Sequence, residues 1–319
     1  MERLNDFVKM PCRSHGMTPI TSSTSDLPLV IALMGPTASG KTALAIELAA
    51  QLSLAVISVD SRQLYRHMNV GTSKPTQEQR NRVRHELLDL REPDQPINLH
   101  EFLLIARAAI EAEHRRCGVA LLVGGSGLYL KALLRGLDPP LVPPQPQLRA
   151  QFESLGQPLC HGILRHGDPE AANRIAPADA VRTQRALEVL YATGQPVCGQ
   201  QRSTPPPWRV LEMGLNPPDL RQRIERRTHQ FYTDGLVRET KDLIERYGVG
   251  CPLLETIGYR EAKRVLLGEL SASAAEARST RRTIQFAKRQ CTWFRRQHQP
   301  LWLEDGDLLQ KALRMAQAA

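Results

Sequence analysis

Long apolar runs are missing from this chain of 319 residues. A helix needs about 20 consecutive apolar residues to cross a bilayer, and no uninterrupted stretch reaches that length. The first residues carry charges at Glu2, Arg3, Asp6 and Lys9 before a Ser/Thr-rich stretch, and they lack the apolar segment of a secretory signal. The sequence therefore predicts a protein without membrane contact, in which residues 1–26 are a disordered tail or an over-early start of translation.

Closely spaced cysteines are missing as well. The six cysteines stand far apart, at positions 12, 117, 160, 198, 251 and 291, and no two of them form a C-x-x-C pair. This spacing argues against a zinc site or a disulfide framework and predicts a protein of the reducing cytoplasm. No internal repeat is present, and the length suits one large domain or a core with a smaller domain.

Positive charge, in contrast, is in excess. The chain has 42 Lys and Arg residues against 33 Asp and Glu residues, which gives a net charge of +9. A basic protein favours a polyanionic partner such as a nucleic acid. Solubility alone would also account for the charge, so this observation needs support from the motifs.

Apolar runs that resemble buried strands alternate with helical patterns along the chain. The runs lie at 29–34, 54–59, 119–123, 210–215 and 301–303, and helical spacing extends over 101–117, 180–191, 219–247, 256–270 and 274–297. This alternation predicts an α/β fold with a mostly parallel, P-loop kinase-like sheet flanked by helices. We expect a discontinuous core of residues 27–222 and 285–319, a peripheral helical segment at 138–178 and a helical insertion at 223–284.

A glycine-rich loop stands between the first apolar run and a helical pattern at 43–52. Its residues are Gly35, Pro36, Thr37, Ala38, Ser39, Gly40, Lys41 and Thr42. Strand, loop and helix follow in the order that a phosphate-binding P-loop requires. Backbone N–H groups, the Lys41 charge and the helix N-terminus attract phosphate, and the Thr42 hydroxyl suits Mg²⁺. The loop therefore predicts binding of a di- or triphosphate.

Polar residues follow the second predicted strand, beginning with Asp60. In an open α/β sheet the ligand crevice lies beyond the carboxyl ends of the strands, so we expect Asp60 beside the P-loop. Three roles are open to it at this point: holding a metal, acting as a general base, or capping a helix. Gln63 can present a donor and an acceptor together, as reading an adenine edge requires.

A second glycine-rich loop, at 124–127, follows the third predicted strand. It offers the hydroxyl of Ser126 to the same crevice, and its glycines permit a close approach of backbone to ligand. The strand does not end in Asp or Glu, the carboxylate with which a P-loop ATPase usually holds its metal. The sequence therefore argues against an ordinary nucleotide hydrolase.

Basic residues recur at helical spacing near the end of the chain and fall on one broad face. They are Arg278, Arg281, Arg282, Lys288, Arg289, Arg295 and Arg296. Phe286 and Trp293 lie at the margin of this face, where an aromatic side chain can stack on a base. A solvated basic helix would show the same charges. Together with the P-loop and Asp60, the pattern favours contact with RNA.

Eight segments, in order, resemble those of bacterial tRNA dimethylallyltransferases, also called tRNA isopentenyltransferases, of the IPP transferase family. They are GPTASGKT at 35–42, DSRQLY at 60–65, GTSKPT at 71–76, HELLD at 85–89, GGSGLYLKAL at 124–133, RTQRALEV at 182–189, ETIGYRE at 255–261 and AKRQCTWFR at 287–295. The resemblance spans nearly everything after residue 26. One departure is Ser126, where the family commonly has Thr.

The resemblance implies that a dimethylallyl group moves from dimethylallyl diphosphate to N6 of adenosine 37, beside the tRNA anticodon, with release of pyrophosphate and help from Mg²⁺. Asp60 is the carboxylate that we expect to act as base, and Thr37 and Ser126 are the further catalytic contacts. Arg227 and the P-loop residues would bind the diphosphate, and Thr42 would hold the metal.

The resemblance also implies the residues that contact tRNA, in addition to the helical insertion. These are Asp60, Ser61, Arg62, Gln63, Gln184, Arg185, Ala186, Leu187, Glu188, Lys288, Arg289, Gln290, Trp293 and Arg295. We expect the protein to act as a monomer.

Three alternatives stay open. An adenylate isopentenyltransferase would use a free nucleotide, and the basic segment favours tRNA instead. A small-molecule P-loop kinase leaves that basic segment without a role. A non-catalytic RNA-binding protein leaves Asp60 beside a complete P-loop without a role.

Overall fold

Six parallel strands form the central sheet of the computed structural model, which describes residues 27–200, 202–304 and 306–319. The order across the sheet is β3-β2-β4-β1-β7-β8, and a separate antiparallel pair is β5-β6. The strands are β1 (Leu29–Met34), β2 (Val56–Val59), β3 (His85–Glu86), β4 (Val119–Gly124), β5 (Leu137–Asp138), β6 (Arg202–Ser203), β7 (Arg209–Leu215) and β8 (Leu301–Leu303). The predicted α/β fold with a parallel sheet is confirmed.

Helices connect the strands and cover both faces of the sheet. Those of the first half are α1 (Lys41–Leu52), α2 (Gln77–Arg82), α3 (Leu99–Cys117), α4 (Gly127–Arg135), α5 (Pro146–Leu155), α6 (Gln157–Gly167) and α7 (Pro169–Arg174). Those of the second half are α8 (Ala180–Thr193), α9 (Leu220–Thr233), α10 (Leu236–Tyr247), α11 (Tyr259–Leu266), α12 (Ala272–Gln297) and α13 (Leu308–Ala318). Within the described residues, no helix is both long and apolar enough to cross a membrane.

Each of the five predicted strands coincides with a strand of the sheet. Strand β3 was not predicted, because it is an edge strand of two residues that has no apolar run of its own. The helical pattern at 219–247 is two helices instead of one. The chain turns between them at Gly235, whose φ of 104° lies in the left-handed region that favours glycine.

The sheet is the middle layer of three. Val30 and Ala32 of β1 pack with α3 and α4 on one face, whereas Leu29 and Ile31 pack with α1 and α13 on the other. Successive side chains of a strand point to opposite faces, so a strand that is covered on both sides must be apolar at every position. This explains why β1 reads as a continuous apolar run.

Helices α5 to α8 form a peripheral unit with an apolar cluster of their own. Phe152, Leu164 and Leu187 are buried in this cluster. The sequence predicts a peripheral segment at 138–178, which would place α8 in the core. In the structure α8 packs against α5 and α6 within the peripheral unit.

Helices α9 to α12 fill the connection between β7 and β8. Leu236 of α10 and Tyr259 of α11 belong to the same apolar cluster as Met34 of β1, so these helices pack onto the core. Helix α12 runs unbroken across the boundary expected at 284/285 and carries the buried Phe294 into that cluster. Helix α9 begins at Leu220, ahead of the boundary expected at residue 223.

A hydrogen-bond network ties α10 and α11 to the loop that follows β2. The Glu239 carboxylate accepts from the N–H groups of Asn69 and Val70, at 3.0 and 2.9 Å, and from the Tyr259 hydroxyl at 2.5 Å. A Cβ at Gly71 would collide with the Tyr259 ring, so this close approach requires glycine. Two segments of the family resemblance, GTSKPT and ETIGYRE, therefore meet at this contact.

Candidate active site

The P-loop turns from the buried end of β1 into α1. Gly40 stands at the N-terminus of α1 with φ of 94°, and Ala38 has φ of 63°, so the loop makes its turn through left-handed conformations. The Lys41 ammonium donates to the carbonyl oxygen of Pro36 at 2.7 Å. The Lys41 side chain thus folds back over its own loop. A phosphate group bound there would compete with the Pro36 carbonyl oxygen for the N–H groups of the ammonium.

Two cations lie close together beside this loop: the Lys41 ammonium and the Arg227 guanidinium of α9. Burial, together with the nearby Arg227 charge, lowers the pKa of Lys41 to about 7, and burial lowers the pKa of Arg227 to about 10. The Asp60 carboxylate opposes both shifts.

Arg227 forms no ion pair among the described residues, and its guanidinium carbon lies 5.2 Å from the centre of the Phe231 ring. Most other arginines nearby are already paired; Arg223, for example, donates to Asp219 at 2.6 Å. Two partly buried cations that share one carboxylate make a site that favours a bound anion.

Asp60 follows β2, and its loop is joined to the loop after β4. The Asp60 Oδ1 atom accepts from the N–H of Arg62 at 2.8 Å, which is an Asx turn, and no helix begins there for Asp60 to cap. The Ser61 N–H donates to Ser126 Oγ at 2.9 Å. Because β2 and β4 are neighbours in the sheet, their carboxyl ends bring Asp60 and Ser126 to one edge, as predicted.

The Gln63 side chain is already engaged. Its Oε1 accepts from Ser58 Oγ at 3.1 Å, and its Nε2 donates to the carbonyl oxygens of Thr72 and Ser73, each at 3.1 Å. In this structure the amide therefore braces the loop at 72–73. The expected role of Gln63 in binding tRNA stays a prediction, and an adenine edge would have to replace those hydrogen bonds.

Two cavities meet at the P-loop. We call the smaller one, of about 440 Å³, the crevice; Asp60 and Ser126 are in its walls. The larger one, of about 1150 Å³ and open to solvent, we call the groove. Lys41, Thr42 and Arg227 line both cavities, so these three of the predicted diphosphate-binding residues lie where the crevice and the groove join, whereas Gly35 and Pro36 line neither cavity.

One wall of the crevice comes from the helices between β7 and β8, and most of it was not anticipated from the sequence. Tyr232 and Ser279 belong to this wall; their hydroxyl oxygens are 2.9 Å apart, and burial raises the pKa of Tyr232 to about 12. The segment ETIGYRE is the sequence signal that could have revealed this wall, since it matched the family and no specific contact had been assigned to it. The wall includes Ile224, Phe231, Tyr232, Thr256, Ile257, Gly258, Ser279, Arg282 and Phe286.

Helix α12 presents only part of its predicted RNA face to solvent. Phe286 is 39% exposed at the margin of the crevice, as expected for a residue that could stack on a base. Trp293, in contrast, packs its indole against Gly127 at the start of α4, where a Cβ would collide with the ring. The indole is thus used in a contact within the protein, and the expected contact of Trp293 with tRNA stays a prediction. The exposed basic residues at the end of the helix are Lys288, Arg289, Arg295 and Arg296.

Gln290, also predicted to contact tRNA, is buried and engaged with other loops. It is 8% exposed, and its carboxamide is hydrogen-bonded to the backbone of Thr37 and of Gly125. Both ends of the amide are thus used within the protein. The structure corrects the expected role of Gln290 from RNA contact to contact between loops.

The segment at 184–188 lies in α8 and lines neither the crevice nor the groove. Ala186 and Leu187 are buried in the peripheral cluster, and the fully buried Glu188 accepts from Arg149 Nε at 2.6 Å. The prediction that Ala186, Leu187 and Glu188 bind tRNA through their side chains is therefore wrong. The first two residues of the segment, Gln184 and Arg185, are partly exposed, and their contact with tRNA stays a prediction.

Oxygen ligands for a metal ion are few near the P-loop. Within the described residues, no cluster of three or more His, Cys, Asp or Glu side chains is placed to hold a metal. The Thr42 hydroxyl and the Asp60 carboxylate both line the crevice. Mg²⁺ commonly binds through few protein oxygens together with substrate phosphates and water. This donor set therefore fits a magnesium ion that binds together with a diphosphate.

Replacing Lys41 with Met removes one of the two neighbouring cations, and we expect the variant to be more stable than the native protein near pH 7. The pKa of Lys41 is about 7 in the folded state against an ordinary value of 10.5, so the unfolded state binds more protons between these values. Native stability therefore rises with pH across that window, and the advantage of Lys41→Met should shrink toward about pH 10. Urea unfolding across this range measures the difference. Lys131→Met, at a lysine that lines neither cavity, controls for the loss of a lysine side chain. A difference that is independent of pH in Lys41→Met would contradict the lowered pKa.

Comparison with known proteins gives one consistent result. The family model described as IPP transferase matches residues 63–297. A relative named tRNA dimethylallyltransferase from Parasynechococcus marenigrum is 63% identical over 290 residues, covering 91% of this chain and 97% of the relative. Another of the same name, from Synechococcus sp. (strain WH7803), is 64% identical over 294 residues, covering 92% of this chain and 95% of its own.

Solved structures agree with these relatives. The full-length tRNA isopentenylpyrophosphate transferase from Bacillus halodurans superposes with a TM-score of 0.67 at 32% identity, covering 91% of this chain and 96% of that one. A eukaryotic dimethylallyltransferase, described as acting on tRNA, gives a TM-score of 0.75 at 26% identity and covers 91% and 77%. Six of the eight segments that predicted the family lie wholly within residues 63–297, and the chain belongs to the IPP transferase family.

Proposed function

We propose that this chain transfers a dimethylallyl group from dimethylallyl diphosphate to N6 of adenosine 37 in tRNA, as a cytoplasmic monomer. The observation that carries the proposal is the pair of cations, Lys41 and Arg227, at the junction of the groove and the crevice, with the Asp60 carboxylate in the wall of the crevice. The relatives named tRNA dimethylallyltransferase support the choice of reaction.

The diphosphate is the leaving group, and its negative charge grows as the bond between carbon and oxygen breaks. Lys41, Arg227 and the N–H groups of the P-loop stabilise that charge. Thr42 would hold Mg²⁺, which would neutralise further charge on the diphosphate. The pKa of Lys41 rises when an anion binds beside it, so the lysine is a full cation in the complex.

The nucleophile is the exocyclic amine of adenosine. It forms a bond with the allylic carbon, pyrophosphate departs with the electrons of the broken bond, and one amine proton passes to Asp60 and then to water. The Asp60 Oδ1 atom accepts from the N–H of Arg62 and so holds the loop in place. The other carboxylate oxygen, Oδ2, can therefore accept the proton. Ser126 and Thr37, in the walls of the same crevice, orient the amine and the diphosphate.

The adenosine must leave its stack to enter the crevice, which costs a few kcal/mol. Phe286 at the margin offers an aromatic face on which a base can stack. Lys288 and Arg289 of α12 are exposed close to it in sequence and would hold the phosphates of the anticodon stem-loop. These basic residues favour tRNA over a free nucleotide, the substrate of adenylate isopentenyltransferases.

A small-molecule kinase is the second candidate, because the P-loop would serve it equally. Strand β4 ends in Gly124 and continues into Gly125 and Ser126, so the carboxylate that holds the metal in P-loop ATPases is absent from this position. This observation favours transfer of an alkyl group over transfer of a phosphoryl group.

The purified protein should transfer label from radioactive dimethylallyl diphosphate, with Mg²⁺, to an anticodon stem-loop that carries adenosine at position 37. Replacing that adenosine with guanosine should abolish the transfer, since the accepting amine is then absent. Label in added AMP but none in RNA would indicate the free-nucleotide enzyme. Turnover of ATP with a small hydroxyl compound, and no label in either acceptor, would indicate the kinase.

Asp60→Asn should retain tRNA binding and lose most of the transfer, with kcat lower by about 10²- to 10⁴-fold, the usual contribution of a general base. The asparagine keeps an oxygen for the N–H of Arg62, so the loop should keep its shape. Single-turnover rates and filter binding measure the two effects. The matched control is Asp94→Asn, at an exposed residue that lines neither cavity. A normal rate in Asp60→Asn would remove Asp60 from the mechanism.

Replacing Lys288 and Arg289 together with Gln should weaken tRNA binding and flatten its dependence on salt. Each phosphate contact that is lost reduces the slope of log K against log salt by about 0.7 to 0.9. Binding titrations over a range of salt concentrations measure the slope. The same double replacement at Arg115 and Arg165, exposed residues outside both cavities, is the control. An unchanged slope in the first variant would place the RNA surface elsewhere.

A further inference from the structure

The Gln290 carboxamide bridges two loops that are far apart in the sequence. Its Oε1 accepts from the N–H of Thr37 in the P-loop at 2.9 Å, and its Nε2 donates to the carbonyl oxygen of Gly125 at 2.8 Å. The side chain enters from α12, a third element, and is buried. One amide thus fixes the separation between the loop after β1 and the loop after β4.

Both loops carry groups that the proposed reaction uses. Thr37 lines the crevice, and its backbone N–H donates to Gln290. This hydrogen bond holds the main chain of Thr37 in place. Gly125 immediately precedes Ser126, whose Oγ accepts from the N–H of Ser61 at 2.9 Å. The chain of contacts therefore runs from the P-loop through Gln290 to Ser126 and on to the loop of Asp60.

The fit around the amide is close. A Cβ at Gly125 would lie 2.7 Å from Gln290 Nε2, so a larger residue there would push the amide away. A shorter side chain than Gln cannot reach both backbone groups from the same helix position. Loss of the amide leaves the partly buried N–H of Thr37 and the buried carbonyl oxygen of Gly125 without this partner, which destabilises the arrangement of the two loops.

Helix α12 carries this amide on its inner side and the exposed Lys288 and Arg289 on its outer side. The residue that fixes the two loops is thus adjacent in sequence to the residues proposed to hold RNA. The helix is continuous from Ala272 to Gln297, so its two sides cannot move independently.

We infer that Gln290 is a positioning residue, which holds Thr37 of the P-loop and Ser126 of the second loop at the separation that the transfer requires. The inference rests on the proposed function. It assigns Gln290 no contact with the reacting atoms; the residue acts through the two backbone groups that it binds.

The test uses Gln290→Met, which keeps the length of the side chain and removes both hydrogen bonds. We expect kcat to fall about tenfold or more, because small displacements of reacting groups have large effects on rate, whereas KM for tRNA should stay within about twofold. Affinity for inorganic pyrophosphate, measured by calorimetry, should fall because the P-loop loses its brace. Gln290→Asn, polar but one methylene shorter, should show the same pattern and replaces the first variant if that one does not fold.

The matched control is Gln297→Met on the same helix, which removes a single hydrogen bond from Lys131 at 2.8 Å, outside both cavities. It should leave kcat and pyrophosphate affinity unchanged. A native kcat and native pyrophosphate affinity in Gln290→Met would overturn the inference, and so would a loss confined to KM for tRNA, which would mean direct RNA contact. If the native protein shows no transfer, the proposed function fails, and the pyrophosphate titration still decides whether Gln290 shapes the P-loop.

Discussion

Burial of two neighbouring cations is the constraint on which the site depends. Lys41 belongs to the core and Arg227 to the helices inserted between β7 and β8, and burial has moved the pKa of each downward. The Asp60 carboxylate offsets these shifts only in part, so the folded chain holds unfavourable energy that a bound anion would release. That arrangement lasts only if α9 cannot move away from the P-loop. The contact of Glu239 and Tyr259 with the loop after β2 packs the neighbouring helices firmly against the core.

The parallel sheet supplies the other half of the arrangement. Strands β1, β4 and β2 are successive neighbours, so their carboxyl ends place the P-loop, Ser126 and Asp60 side by side. Side-chain to backbone hydrogen bonds then fix the distances that the sheet leaves free, from Ser126 to the loop of Asp60 and from Gln290 to the P-loop. The geometry of the candidate site thus depends on single hydrogen bonds between loops on a rigid scaffold.

The sequence predicts those parts of the site that depend on strand order alone. The P-loop, Asp60 and Ser126 follow buried apolar runs, and the edge of a parallel sheet brings them together whatever the rest of the chain does. Helical residues are harder to assign, because the partner that covers a helix face is not visible in its own spacing. Glu188 reads as an exposed acid and is buried by its pairing with Arg149, and Trp293 reads as a free aromatic and is covered by the approach of a glycine. The engaged amide of Gln63 was also unpredictable, because the backbone of the loop at 72–73 reaches it only through the fold.

The junction of the groove and the crevice gives Lys41 and Arg227 two separate openings. The groove is open to solvent and leads to Lys41 and Arg227, so it offers a small anion a route to them that does not pass through the crevice. A diphosphate that used this route would not have to pass a base held in the crevice.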